Sequence, residues 1–202
     1  MVLEIEYWKS LVSSFGKSRV PILTYEPKHR ELPSRVLDVY SAWKGIESIL
    51  SDLIGRFEIP THRCLEFGVE RGYSTAALSS FFDSVTGIDT FLGDKHTNER
   101  SDLYESTMDR LSSFSNIEIV RSNYEAWIAK DVKSYDLVHV DIIHTYIDTF
   151  TCGLWSAQHS RCVIFHDTES FPAVKQAVAD IARQTGKSFY NFKECHGLGI
   201  LV

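Results

Sequence analysis

The sequence predicts an α/β protein built on a doubly wound, mostly parallel sheet of seven strands that ends in an antiparallel strand pair. Three observations predict it. From Pro60 onward, short apolar runs alternate with helix-like stretches, the pattern of repeated strand–helix–strand units. The side chains at the carboxyl ends of those runs are Glu66, Asp89, Asp141, His166 and Asp167, and a random chain would not put acids at nearly every one. With 202 residues, 44% apolar and 24% charged, the chain is long enough for one sizeable core and short for two.

Pro21, Pro27 and Pro33 and a lack of periodicity make residues 1–35 an irregular arm, with a short helix around Tyr7 to Phe15. Val36, Val39, Tyr40, Trp43, Ile46, Leu50, Leu53, Ile54 and Phe57 recur at helical spacing, so Val36–Phe57 is expected to be an amphipathic helix closed by Pro60. Its aromatic stripe reads as core packing. Strands are then expected at Arg63–Val69, Val85–Asp89, Ile117–Arg121, Tyr135–Asp141 and Arg161–His166. Helices follow at Ser74–Phe82 and Leu103–Phe114, with a polar loop over Thr90–Asp102. Pro172 suits the first turn of a helix running to Thr185, and Gly186 suits its C-terminal cap. Phe189–Phe192 and Leu198–Val202 form the closing pair. Residues 1–59 are thus an arm and helix packed on a core of residues 60–202, one structural domain without internal repeats.

Lys plus Arg total 21 against 27 for Asp plus Glu, a net charge of −6, which argues against a nucleic-acid partner. The scattered Arg19, Lys28, His29 and Arg30 read as a solvated face. No apolar run reaches the roughly 20 residues of a membrane span, and the first ten residues carry Glu4 and Glu6 without an apolar signal core. A cytoplasmic protein without a membrane partner is expected, with a homo-oligomer left open. Cys64, Cys152, Cys162 and Cys195 form no C-x-x-C pair and read as free thiols, Cys64 and Cys162 buried in apolar runs.

In doubly wound sheets ligands bind beyond the carboxyl ends of the strands, where strand order reverses. The first strand runs into Glu66-Phe67-Gly68-Val69-Glu70-Arg71-Gly72-Tyr73-Ser74, a turn whose glycines allow close approach of backbone to a ligand. Asp89 ends the next strand, where a carboxylate accepts the hydroxyls of a ribose. Together they point to a nucleoside. The turn is not G-x-G-x-x-G, which counts against NAD. Asp141 and Asp167 offer two hard oxygen ligands for Mg²⁺, and His166 would add a softer one favouring Mn²⁺, Fe²⁺ or Zn²⁺. His144 stands three residues after Asp141 and is a candidate general base. His139 alternates with Val138 and Val140 and reads as a packing residue inside the sheet. Asp94, His96 and Glu99 read as part of a solvated lid.

The turn, read as E-x-G-x-x-x-G, resembles motif I of the class I S-adenosylmethionine (SAM)-dependent methyltransferases. Downstream, Gly87-Ile88-Asp89-Thr90-Phe91, Gly93-Asp94-Lys95-His96, Val140-Asp141-Ile142-Ile143-His144-Thr145-Tyr146, Phe165-His166-Asp167-Thr168 and His196-Gly197-Leu198-Gly199 resemble the metal-dependent small-molecule and sugar O-methyltransferases. The likeness covers roughly residues 60–202, in motif order, and departs at Ile142, where relatives commonly carry glycine. It implies SAM as cofactor, a divalent metal and a small-molecule or sugar acceptor. It implies further that Glu66, Gly68 and Gly72 shape the methionine and ribose side of the pocket. Tyr73 or Ser74 would then lie against the cofactor carboxylate, Asp89 would hold the ribose, and Ser122 and Asn123 would sit near the adenine. Two alternatives stand beside it. A metal-dependent hydrolase could use His139, Asp141, His144, His166 and Asp167 to activate water, but leaves the glycine turn and Asp89 unexplained. A SAM- or nucleotide-binding module without catalysis is the other.

Overall fold

The computed structural model describes residues 20–93 and 101–202. The helix expected at Tyr7–Phe15 and the lid residues Asp94, His96 and Glu99 lie outside them. In chain order the elements are β1 (Ile22–Thr24), a 3₁₀ turn (Ile46–Ile49), α1 (Leu50–Arg56), β2 (Arg63–Phe67), α2 (Tyr73–Leu78), β3 (Ser84–Asp89), α3 (Tyr104–Leu111), β4 (Ile117–Arg121) and α4 (Tyr124–Ile128). There follow β5 (Tyr135–Val140), α5 (Tyr146–His159), β6 (Ser160–His166), α6 (Pro172–Thr185), β7 (Phe189–Phe192) and β8 (Leu198–Leu201).

The strands form one eight-stranded sheet in the order β1-β7-β8-β6-β5-β2-β3-β4. Every pairing is parallel except those of β8, which runs antiparallel to both β6 and β7. The strands β2, β5 and β6 are buried along nearly their whole length, as strands covered on both faces must be. On one face Trp43, Ile46, Leu50, Leu53, Tyr73 and Leu78 pack against Cys64, Ile164 and Ile200. On the other Cys152, Val174, Val178 and Ile181 of α5 and α6 pack against Leu65, Phe67, Val163 and Phe165. The four cysteines are free, and Cys64, Cys152 and Cys162 are buried. No helix among the described residues is long and apolar enough to cross a membrane.

Four features differ from the sequence expectation. The helix over Val36–Phe57 does not form as one piece: residues 36–41 are irregular, and regular helix begins only at Leu50. Gly45 breaks it with φ of 104°, and the Glu47 side chain accepts the Gly45 N–H at 2.7 Å. The apolar spacing is real, but it serves a segment that turns Trp43 into the core and leaves Tyr40 78% exposed. The sheet has eight strands instead of seven, because Ile22–Thr24, just after Pro21, adds a short edge strand on β7. Helix α5 carries β-branched and aromatic residues that hid its period, although Thr145 caps it by accepting the Asp148 N–H, a signature legible as Thr-x-x-Asp. Helix α4 is only five residues long and is capped by Asn123. By contrast α6 starts at Pro172 and stops at Gly186, as its end signals require.

The chain leaves β2 for β3 and β4 on one side and returns to β5 on the other, so strand order reverses between β2 and β5. There the two backbones nearly touch. A methyl group on Gly68 would lie 1.7 Å from the carbonyl oxygen of Asp141, and Gly68 has φ of +93°. Gly186 is also left-handed, with open space around it. Gly68→Ala should therefore cost roughly 4 kcal/mol or more, or prevent folding, whereas Gly186→Ala should cost about 1 kcal/mol. Urea unfolding of the two variants checks this; equal losses would mean that the Gly68–Asp141 approach is not a constraint.

Candidate active site

A cleft of about 940 Å³ opens at the carboxyl ends of β2, β3, β5 and β6. Gly68, Tyr73, Ser74, Asp89, Ser122, Asn123, Asp141, His144, His166 and Asp167 all line it. Two of the residues expected there do not: Glu66 and Gly72. Gly72 forms the N-cap of α2 with φ of 82° and packs beneath the turn against Leu111. Glu66 is fully buried on the sheet face under α2, where its carboxylate meets the Thr75 hydroxyl and lies 2.9 Å from His139 Nδ1. A strand buried on both faces leaves the choice of side to packing, and packing turns Glu66 away from the cleft.

The glycine turn is held by Asp89. One carboxylate oxygen accepts the N–H groups of Val69 and Glu70 at 2.8 and 2.7 Å, and the other accepts that of Phe91 at 2.7 Å. A carboxylate has about four acceptor sites, so Asp89 shapes the turn and keeps capacity toward the cleft. Ser122 N–H donates to the Asp89 carbonyl, and the Asn123 side chain caps α4 through Ala126 N–H.

Across the cleft four titratable groups converge. His166 Nε2 lies 3.2 Å from the Cys195 carbonyl, which can only accept, so this nitrogen carries the proton. Its Nδ1 consequently faces Asp141 Oδ2 at 3.1 Å and Asp167 Oδ2 at 3.3 Å. His144 Nε2 lies 2.8 Å from Asp167 Oδ2 and 3.7 Å from Asp141 Oδ1. Ligand atoms of Asp141, His144 and Asp167 lie within 4.8 Å of one another, so His144 stands as close to the acids as His166 does. The His144 ring stacks on Phe171, with centroids 4.1 Å apart.

The electrostatics follow from this packing. Burial opposes charge on His166 and His144, but the charges and hydrogen bonds of Asp141 and Asp167 outweigh it, lifting them to about 10 and about 9. Burial likewise opposes the charge on the acids, and the two histidines overcome it, holding Asp167 at about 2 and Asp141 well below the usual carboxylate range. Two carboxylates so paired with two imidazoles have their charge balanced when both imidazoles are protonated, which is the state these shifts favour.

Sequence reasoning missed several residues of the site. Trp43, Ser170, Phe171 and His196 line the cleft. Asp167, Cys195 and His196 all adopt positive φ (65°, 52° and 67°), and on the glycine-turn side of the cleft Glu70 and Phe91 do the same (50° and 61°). Because β8 runs antiparallel to β6, its entry at 195–197 lies beside the end of β6, and the bend presents the Cys195 carbonyl to His166. His139 sits inside the sheet as expected, fully buried, with Trp43 Nε1 donating to its Nε2 at 3.1 Å.

No family model and no curated protein matches the chain. Solved structures do. An O-methyltransferase from Bacillus cereus in complex with S-adenosylhomocysteine (SAH) superposes with a TM-score of 0.56 at 14% identity, over 85% of this chain and 84% of that one. The SAM complex of the O-methyltransferase TomG from Streptomyces achromogenes, involved in tomaymycin synthesis, gives 0.51 at 19% identity over 74% and 76%. SAH-bound methyltransferase PaMTH1 from Podospora anserina gives 0.56 at 9% identity over 76% and 77%. The fold is that of the class I SAM-dependent methyltransferases.

The converging charges make stability depend on pH. His144 and His166 have folded-state values of about 9 and about 10, above the ordinary value near 6.5. The stability they contribute is therefore complete below about 6.5 and lost as pH rises through 9 to 10. Asp141 and Asp167 are depressed, so their contribution is lost only as pH falls below the ordinary carboxylate range, through about 2 for Asp167. In EDTA, Tm should fall steadily between about pH 6.5 and 10, and His166→Gln should flatten that fall. A wild-type Tm constant over this window would show that the imidazoles are not held charged.

Proposed function

We propose that this chain is a SAM-dependent methyltransferase acting on a hydroxyl of a small-molecule or sugar acceptor, assisted by a divalent cation. One observation carries it: a glycine turn fastened by Asp89 and an Asp–His cluster face each other across a single cleft, in a fold whose solved neighbours hold SAM or SAH. At about 940 Å³ the cleft stands near the top of the range for small-molecule sites, about 300–1,000 Å³. It has room for a cofactor and an acceptor together. Residues 60–202 form the cofactor-binding domain, and residues 20–59 pack on it, with 40–43 walling the cleft. Four free thiols fit a cytosolic setting.

In this reading the turn at Gly68 brings backbone against the methionine end of SAM, with Tyr73 and Ser74 alongside. Asp89 takes the ribose with its remaining acceptor capacity, and Ser122 and Asn123 lie by the adenine. Glu66 and Gly72 support the turn from beneath.

Asp141, Asp167 and the Nδ1 of His166 form a donor set of two hard oxygens and one imidazole nitrogen, which fits Mg²⁺, Mn²⁺, Fe²⁺ or Zn²⁺. Such an ion supplies Lewis acidity that lowers the pKa of an acceptor hydroxyl. His144 takes the hydroxyl proton on Nε2. Asp141 and Asp167 hold that nitrogen protonated up to about pH 9, and a cation bound by these two carboxylates would offset their charge and let His144 act as a base nearer neutral pH. The acceptor oxygen then forms its bond to the methyl carbon as the carbon–sulfur bond breaks, leaving SAH. Phe171, stacked on His144, fixes the ring for this transfer. The hydrolase alternative loses one of its five residues, since His139 is sealed in the sheet.

Calorimetry with SAM, SAH and NAD, each with and without Mg²⁺, tests the reading directly. SAM and SAH should bind and NAD should not, and binding of SAM without turnover of any hydroxyl acceptor would leave only a binding module. Asp89→Ala should weaken SAM by about 1–3 kcal/mol in protein shown to be folded by circular dichroism; unchanged affinity would remove Asp89 from the site. With an acceptor in hand, His144→Ala should lower kcat by about 10²–10⁴-fold with SAM affinity within a few fold. A wild-type rate in that variant would assign the proton to another group.

A further inference from the structure

A chain of buried polar groups runs beneath the cleft, and the chemistry above does not use it. Glu66 and His139 are cross-strand partners on β2 and β5, both fully buried in the middle of the sheet. Trp43 Nε1 is a donor only, so His139 Nε2 must accept, and the proton sits on Nδ1 facing Glu66 Oε1 at 2.9 Å. The second Glu66 oxygen accepts the Thr75 hydroxyl of α2. Every ring nitrogen and carboxylate oxygen of the pair is thereby satisfied. An apolar pair of similar volume would fill the same space with no polar groups to desolvate. What the polar pair adds is a fixed position for the indole of Trp43.

Trp43 needs such an anchor. It belongs to the irregular segment where a helix was expected, and Tyr40, Ser41, Ala42 and Trp43 form one wall of the cleft. Upstream, the segment is tied by Arg35 to Ser79 and Asn116. Downstream, Gly45 N–H bonds the Glu47 carboxylate, which also hydrogen-bonds the Tyr73 phenol and, after burial, is what lifts that phenol to about 12. Tyr73 and Thr75 both belong to α2, the helix that follows the glycine turn.

We propose that Trp43 is a positioning residue of the cofactor cleft, and that the buried chain Trp43–His139–Glu66–Thr75 locks the wall at 40–43 to the strands and helix that carry the glycine turn. It rests on the cofactor reading above and adds to it: Glu66 serves the ligand through His139 and Trp43 instead of touching it. The hydrogen bonds of the chain, and not the charge of Glu66, are what the ligand senses.

SAH binding by calorimetry tests this, with urea unfolding run on each variant. Trp43→Phe keeps an aromatic ring and removes the N–H; Glu66→Leu removes both acceptors; Glu66→Gln keeps an oxygen for His139 and offers an amide to Thr75. Trp43→Phe and Glu66→Leu should each weaken SAH about 10-fold or more, the scale of outer-shell partners, and the double variant should lose no more than the weaker-binding single. Glu66→Gln should restore binding to within about threefold of wild type, a loss near one hydrogen bond. A purely structural chain would lower the unfolding midpoint while the folded variants bound SAH like wild type, and that result overturns the proposal. So does a Glu66→Gln loss as large as that of Glu66→Leu, which would mean direct recognition by charge. Should Trp43→Phe not fold, the two Glu66 variants decide alone. A wild-type protein that takes up no SAH overturns the cofactor reading, and this proposal with it.

Discussion

The close approach of Gly68 to the carbonyl of Asp141 governs the rest of the molecule. At that point β2 and β5 end side by side, and the Asp141 N–H donates to the Phe67 carbonyl at 2.8 Å. No side chain fits between them. At the seam the strand that releases the glycine turn and the strand that delivers the first acid of the cluster meet backbone to backbone, and the Glu66–His139 pair ties them further back. Everything that faces the cleft is placed from this seam: the turn on one side, Asp141 and His144 on the other, and His166 and Asp167 one strand further along.

Around the seam the protein buries more polar chemistry than a core needs, and it does so in two ways. Beneath the cleft, Glu66, His139 and Trp43 form a hydrogen-bonded chain whose donors and acceptors match one for one. Such a chain is rigid, because each bond fixes the tautomer required by the next. Inside the cleft, Asp141, Asp167, His144 and His166 are matched only in total charge. Removing any one of the four would leave an uncompensated charge in a partly buried site. The first arrangement suits a support, and the second suits a site that exchanges protons or an ion.

Left-handed backbone borders the cleft on both sides, with Glu70 and Phe91 at the glycine turn and three residues by the Asp–His cluster. Asp167, Cys195 and His196 hold left-handed conformations that side chains other than glycine rarely adopt. The antiparallel return of β8 brings the last two against the end of β6, where the Cys195 carbonyl fixes the His166 ring and the His196 carbonyl accepts the N–H groups of Glu169 and Ser170. The closing strand pair is thus part of the site as well as the link from β6 to the edge strand β1.

Much of this was legible in the sequence. Alternating strands and helices follow from local periodicity, α6 from Pro172 and Gly186, and the ring of acids from its place at strand ends. Those features depend on neighbours along the chain, which is what a sequence displays. Tertiary structure decided the rest. Apolar spacing over residues 36–57 serves equally for a helix and for an irregular segment wrapped on a core, and Gly45 with the anchors at Arg35 and Trp43 selects the second. Glu66 lies on a strand covered on both faces, where alternation separates two sides without saying which one borders the cleft. His144 meets Asp167 across 23 residues of chain, and Trp43 meets His139 across 96. Contacts of that span are set by how layers pack on the sheet, and no local pattern of residues encodes them.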